Sequence, residues 1–223
     1  MARRESLRGP FHKNTWTDEM TRLSMAVPGM LPRGNVYCFD HALKNLPDHS
    51  PILEIGSFCG LSACMITLLK RRHNTKNQLI CCDPWEFTEA GFTGTTNDFI
   101  QESFQRNTKH FCLNDPPLAF RMTSDEFFKC WKQNQEQADN EGKQFTLGGP
   151  LSFCYIDGDH SREAVKRDFM NCNEHLSEGG FILFDNSANG SVWEVNDVAR
   201  QVKRMKDYRL IARNPNYFFQ KVR

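Results

Sequence analysis

The sequence predicts an α/β fold, an open and mostly parallel sheet flanked by helices, with an antiparallel hairpin at its C-terminal edge. Three observations carry that expectation. Short apolar runs that end in glycine or an acid alternate with stretches whose apolar residues recur at helical spacing. The polar residues of these runs gather at their carboxyl ends, and no repeat or linker divides the chain.

Taken in order, Ser50-Pro-Ile-Leu-Glu-Ile-Gly56 reads as a strand entering a glycine-rich turn, and Leu61-Ser-Ala-Cys-Met-Ile-Thr-Leu-Leu-Lys70 as the helix after it. Lys70, Arg71, Arg72 and His73 close that helix, where cations suit the negative end of its dipole; they are expected as a cap and not as a nucleic-acid patch. Gln78-Leu-Ile-Cys-Cys-Asp83, stopped by Pro84, is a second strand and completes a βαβ unit. A helix around Asp98 to Asn107, a short strand around Leu118 to Met122 and a helix from Asp125 to Trp131 follow. Residues 132–150 are polar and end in Gly148-Gly149-Pro150, so a helix extension plus a surface loop is expected there. Leu151-Ser-Phe-Cys-Tyr-Ile-Asp157 is a buried strand, Ser161 to Leu176 a helix, and Gly180-Phe-Ile-Leu-Phe-Asp185 another strand. In the tail, Tyr208 to Ala212 and Tyr217 to Val222 flank Arg213-Asn-Pro-Asn216 as two strands about a turn.

Composition narrows the function. A chain of 223 residues, 39% hydrophobic, can bury one sizeable core, and most of its 18 phenylalanines are expected there. The net charge of +1 lacks the basic excess that phosphate-backbone binding demands, so no nucleic-acid partner is expected. The longest apolar run, Leu61 to Leu69, falls well short of a membrane span, and no apolar segment follows the basic N-terminus. Nine cysteines, an odd number without a Cys-x-x-Cys, fit reduced and buried thiols in a cytoplasmic setting.

In an open α/β sheet, ligands bind beyond the carboxyl ends of the strands, which is where Glu54, Asp83, Ser124, Asp157, Asp159, Asp185 and Asn186 fall. Glu54-Ile-Gly56-Ser-Phe-Cys-Gly60 places an acid before a turn whose glycines let a ligand approach the backbone. It is neither the dinucleotide fingerprint nor a phosphate loop with its lysine, which disfavours a nicotinamide-dependent oxidoreductase. Asp83 is placed to accept hydrogen bonds from a ribose diol; a plain turn and a helix cap are the alternatives.

With Cys82-Asp-Pro-Trp85, Thr123-Ser-Asp125, Tyr155-Ile-Asp-Gly-Asp-His160 and Gly179-Gly-Phe-Ile-Leu-Phe-Asp-Asn186, these motifs resemble the class I S-adenosylmethionine-dependent methyltransferases over residues 30–223. They are similar to the small-molecule O-methyltransferases that include catechol and macrolide-sugar enzymes. The resemblance implies a Rossmann-like, doubly wound, seven-stranded sheet, with residues 35–223 as the cofactor-binding domain and 1–34 as an N-terminal cap segment. It also implies that Glu54, Gly56, Ser57 and Gly60 hold the methionine end of the cofactor, Asp83 its ribose, and Ser124 with Trp85 its adenine.

Asp157, Asp185 and Asn186 offer three oxygen ligands at the ends of two neighbouring strands, a set that selects Mg²⁺, Mn²⁺ or Ca²⁺. In the resembling enzymes such residues bind a divalent cation that orients the acceptor hydroxyl and lowers its pKa. The plainer alternative is that Asp157 begins a turn with Gly158 and that Asp185-Asn186 caps the next segment of chain. Asp159, which resembles the base position of metal-dependent sugar O-methyltransferases, is the first candidate base and His160 the second; either could instead orient a ligand. The other histidines are expected on the surface. The expected partner is a small hydroxylated acceptor, a sugar slightly favoured over a catechol, and an exposed sheet edge would serve a homodimer. Two alternatives stay open, a metal-independent methyltransferase and a cofactor-binding module without catalysis. Met25 to Leu31 and Gly91 to Thr96 have the composition of lids, and equally of ordinary loops.

Overall fold

A computed structural model describes residues 15–86 and 94–223. In chain order the elements are α1 (Asp18–Ala26), α2 (Arg33–Lys44), β1 (Ile52–Ile55), α3 (Leu61–His73), β2 (Leu79–Cys82), α4 (Gly94–Phe111), β3 (Leu118–Phe120), α5 (Ser124–Lys132), β4 (Glu136–Ala138), β5 (Gln144–Thr146), β6 (Leu151–Ile156), α6 (Arg162–His175), β7 (Leu176–Phe184), α7 (Val195–Val202), β8 (Tyr208–Arg213) and β9 (Tyr217–Lys221). Seven strands form one sheet in the order β3-β2-β1-β6-β7-β9-β8. The first five of these are mutually parallel, β9 runs antiparallel to β7, and β8 antiparallel to β9. This is the doubly wound sheet with a C-terminal edge hairpin that the sequence predicts.

Parallel strands covered on both faces must be apolar throughout, and every residue of β1, β2 and β6 is buried. The alternation of side chains divides the interior into two cores. Ile52, Cys81, Phe153, Phe181 and Phe218 face a layer with α2 and α3, while Leu53, Cys82, Cys154, Ile182 and Phe219 face α5, α6 and α7. Helix α3 lies deep in the first layer, its residues Leu61 to Lys70 all buried. All nine cysteines are free thiols, eight of them buried.

The structure differs from expectation in three places and adds to it in one. Residues 132–150 carry a two-stranded hairpin, β4 with β5, in place of a helix extension and loop. Its cause is local: Asp139 Oδ1 accepts the Glu141 and Lys143 N–H groups, and Gly142 takes φ +83°, which together close a tight turn. The cations ending α3 all fall in its last turn, as expected of a cap, and also fasten the helix to its surroundings. Lys70 is fully buried and pairs with Asp115 at 2.8 Å, Arg72 donates to the Thr15 carbonyl, and His73 Nε2 lies 2.7 Å from Asp40 Oδ1. His41, edge-on to Phe181 and Phe218, and His175, stacked on Phe128, are likewise half-buried, not surface residues. Helix α7, absent from the sequence reading, buries Val195, Val198, Ala199 and Val202 at helical spacing. Of the two segments with lid composition, residues 91–93 lie outside the described residues and 94–96 open α4. Residues 1–14 of the N-terminal segment also lie outside the described residues, and α2 runs across positions 34 and 35.

Candidate active site

Strands β1, β6 and β7 run in register, Glu54 beside Tyr155 and Tyr155 beside Leu183. The pairing continues past their ends, where Asp157 N–H donates to the Ile55 carbonyl at 2.8 Å and Asp185 N–H to that of Ile156 at 2.9 Å. Gly56, Asp157 and Asp185 therefore share one rim of the sheet. Gly56 has φ +82°, and a Cβ there would lie 2.1 Å from the Asp157 carbonyl oxygen, so glycine is what lets the two chains pass.

The turn from Gly56 to Gly60 is organised by Asp83 at the end of β2. Its Oδ2 accepts the Ser57 and Phe58 N–H groups at 2.7 and 3.0 Å, and its Oδ1 that of Trp85 at 2.6 Å. Burial raises the Asp83 pKa while these three donors hold it down. Trp85 is wholly buried; its indole N–H donates to the Phe58 carbonyl at 2.9 Å and its ring leans on Phe104. Ser124, by contrast, opens α5 in the other layer and hydrogen-bonds Asp168 of α6. The two residues expected to hold adenine thus belong to different layers. Glu54 is fully buried, and its Oε2 accepts from Ser57 Oγ at 2.9 Å and Cys81 Sγ at 3.2 Å. Its Oε1 is buried without a hydrogen-bond partner, and burial pushes its pKa up to about 7. An orphaned buried oxygen of this kind costs about 1–3 kcal/mol, which a bound donor would recover.

Beside the turn, Asp157 and Asp185 form a hydrogen-bonded carboxyl pair. Burial is the main cause that lifts Asp157 to about 7 and Asp185 to about 8, with the Asp157 charge adding to the latter. Asp185 Oδ1 accepts the side-chain amide of Asn35 at 2.6 Å and that of Asn216, and Tyr155 donates its hydroxyl to Asp157 Oδ2 at 3.1 Å. With the Asn186 amide oriented to suit its neighbours, its nitrogen donates to Asp185 Oδ2 at 2.7 Å and its oxygen accepts from Trp193 Nε1 at 3.2 Å. His160 Nε2 stands 3.6 Å from Asp157 Oδ1, with its ring 4.8 Å from that of Trp193. Asp159 is exposed, its Oδ1 accepting the Ser161 N–H at 2.7 Å.

Among the described residues no three His, Cys, Asp or Glu side chains converge as a metal site. The chemistry of the pair itself suits a hard cation, because two carboxyl groups, Asp185 buried and Asp157 half-buried, are set among neutral amides and a phenol, with His160 as the sole basic group in ion-pair reach among the described residues. Asn186, by contrast, spends its carbonyl on Trp193.

Sequence reasoning missed Asn35, Tyr155, Asn216 and Trp193. Tyr155 carried a signal, since it lies two residues before Asp157 in a strand and so shares its face. Asn35 and Asn216 reach the site only through the tertiary fold.

No curated protein matches the chain in sequence. Among solved structures, an O-methyltransferase from Bacillus cereus in complex with SAH is 14% identical with a TM-score of 0.57, the match covering 92% of this chain and 89% of that one. TomG from Streptomyces achromogenes, an O-methyltransferase involved in tomaymycin synthesis and solved with SAM, is 13% identical with a TM-score of 0.58, over 93% of this chain and 91% of its own. CalS11, a TDP-rhamnose 3'-O-methyltransferase of calicheamicin biosynthesis, is 14% identical with a TM-score of 0.54, over 92% and 81%. At these identities the likeness is one of fold. A family model described as a methyltransferase domain matches residues 53–187, from β1 through the acid pair, and on that ground the chain belongs to the methyltransferase-domain family.

Proposed function

We propose that the protein transfers the methyl group of S-adenosylmethionine to a hydroxyl of a small-molecule acceptor, with Mg²⁺ or Mn²⁺ held by Asp157 and Asp185. The observation that carries this reading is the hydrogen-bonded acid pair lying on the same rim as the glycine turn, on the strands spanned by the family match. Glu54 Oε1 is an acceptor for the cofactor's ammonium group, and Gly56, Ser57 and Gly60 form the turn against its methionine end. Asp83, which orders that turn through backbone N–H groups, is the acceptor for the ribose diol, and Ser124 the contact for adenine, while Trp85 braces the turn from the core.

When bound, the cofactor supplies an electrophilic methyl group and the cation supplies charge that lowers the acceptor's pKa. Asp157 and Asp185 bind that cation, with Asn186 held against them. Asp159, exposed two residues beyond Asp157, accepts the hydroxyl proton, and His160 is the alternative base. The neighbour named as a TDP-rhamnose 3'-O-methyltransferase supports a sugar acceptor ahead of a catechol. Nine free thiols support a reducing, cytoplasmic setting, and the open edge at β8 is the surface a second copy would use. No helix among the described residues is long and apolar enough to cross a membrane.

Calorimetric titration with S-adenosylmethionine and with S-adenosylhomocysteine, each with and without Mg²⁺ and with NAD as control, tests the cofactor. Micromolar binding of either ligand with NAD silent is the expected result. Silence of both would reduce the Glu54-to-Gly60 segment to a structural turn.

A further inference from the structure

We infer that Asn35 and Asn216, both outside the matched residues 53–187, are positioning residues that set the Asp157–Asp185 pair as a cation site. The inference rests on the cation reading above. Asn35 comes from α2 and Asn216 from the turn between β8 and β9, and they are 0% and 2% exposed. Their side-chain nitrogens donate to the same oxygen, Asp185 Oδ1, and Asn216 also donates to Asn35 Oδ1 at 3.0 Å. Asn35 reaches the other acid as well, through Tyr155: its amide lies 3.3 Å from the phenol oxygen, which donates to Asp157 Oδ2.

The two segments are locked together at this point. A Cβ on Gly34 would lie 1.7 Å from the Asn214 carbonyl oxygen, so α2 rests directly on the turn that carries Asn216. The Asn214 amide donates to the Gly34 carbonyl, and Asn214 N–H to the Asn216 carbonyl. Asn35 and Asn216 are thereby fixed relative to each other before they meet Asp185.

The chemistry of the donors gives the arrangement its meaning. An amide stabilises a carboxylate by hydrogen bonding and adds no positive charge, whereas a lysine or arginine in its place would compete with a cation for the same oxygens. Two amides on Oδ1 fix the rotation of the carboxylate. The rest of the carboxyl group takes the Asn186 amide and meets Asp157, and it is this carboxyl–carboxyl hydrogen bond that a cation would replace. Outer partners of this kind change metal affinity by about 10- to 100-fold when removed.

The test is calorimetric titration of Mn²⁺ into the full chain and into Asn216→Ala and Asn35→Ala, with melting temperature and S-adenosylhomocysteine affinity measured in parallel. The expected result is Mn²⁺ binding weakened about tenfold or more in each variant, with homocysteine-ligand affinity within about twofold of the parent. Asn216→Leu, which removes the amide at nearly constant volume, carries the test if Asn35→Ala does not fold. Folded variants that bind Mn²⁺ as the parent does would overturn the positioning role and leave the cation reading standing. A parent protein that binds neither Mn²⁺ nor Mg²⁺ would overturn both.

Discussion

The glycine turn after β1 and the acid pair after β6 and β7 stand side by side on one sheet rim, yet they are built in opposite ways. In the turn, the Asp83 carboxylate is satisfied by backbone N–H groups of Ser57, Phe58 and Trp85, and Gly56 and Asp157 touch through main chain. Its shape follows from the backbone of two adjacent parallel strands. The acid pair is satisfied by side chains, some local, Tyr155, His160 and Asn186, and two remote, Asn216 and Asn35, the last lying 150 positions from Asp185. The turn depends on its glycines and on the one carboxylate, Asp83, that gathers its backbone donors, whereas a side-chain-built site fails one partner at a time.

The largest effect that contrast predicts is at Gly56. A valine there would hold a β-branched residue at φ +82°, a strain of about 1–3 kcal/mol, and would drive its Cβ into the Asp157 carbonyl. Gly56→Val should therefore lower the melting temperature sharply and abolish S-adenosylhomocysteine binding. A variant that melts like the parent but has lost the ligand would show that the glycine serves ligand approach and not strand crossing.

A smaller effect belongs to Glu54. Burial lifts its pKa to about 7, so it is neutral below that value and a carboxylate above it. If the carboxylate receives the cofactor's ammonium group, affinity for S-adenosylhomocysteine should rise about tenfold between pH 6 and pH 8 and then level off. Glu54→Gln should flatten that profile. A Glu54→Gln variant that keeps both the parent's affinity and its pH profile would remove Glu54 from the cofactor site.

The same contrast explains what could be read without the structure. The succession of strands and helices, the C-terminal hairpin and the strand-end position of Glu54, Asp83, Asp157 and Asp185 are written in local pattern, because apolar runs and their terminal acids are neighbours in sequence. Tyr155 was within reach by alternation alone. Trp85 was harder: a tryptophan after Pro84 is compatible with a ligand wall or with a core, and only the packing against Phe104 and the spent indole N–H decide its place. The β4–β5 hairpin was hidden because its strands are polar and solvent-facing, so they lack the apolar alternation that marks a half-buried strand. Asn35 and Asn216 left no signal, since each is an ordinary polar residue until the fold brings both to Asp185.

Methyl transfer from methyl-labelled S-adenosylmethionine to a panel of sugars, glycosides and catechols tests the cation-dependent reaction most directly, run on the parent and on Asp185→Ala, in chelator and again after Mg²⁺ is restored. Parent turnover should vanish with chelation and return with Mg²⁺. Asp185→Ala should lose about a hundredfold or more at any Mg²⁺ concentration, with nearly unchanged S-adenosylhomocysteine affinity. Full turnover in chelator, with Asp185→Ala as active as the parent, would contradict a cation held by the acid pair.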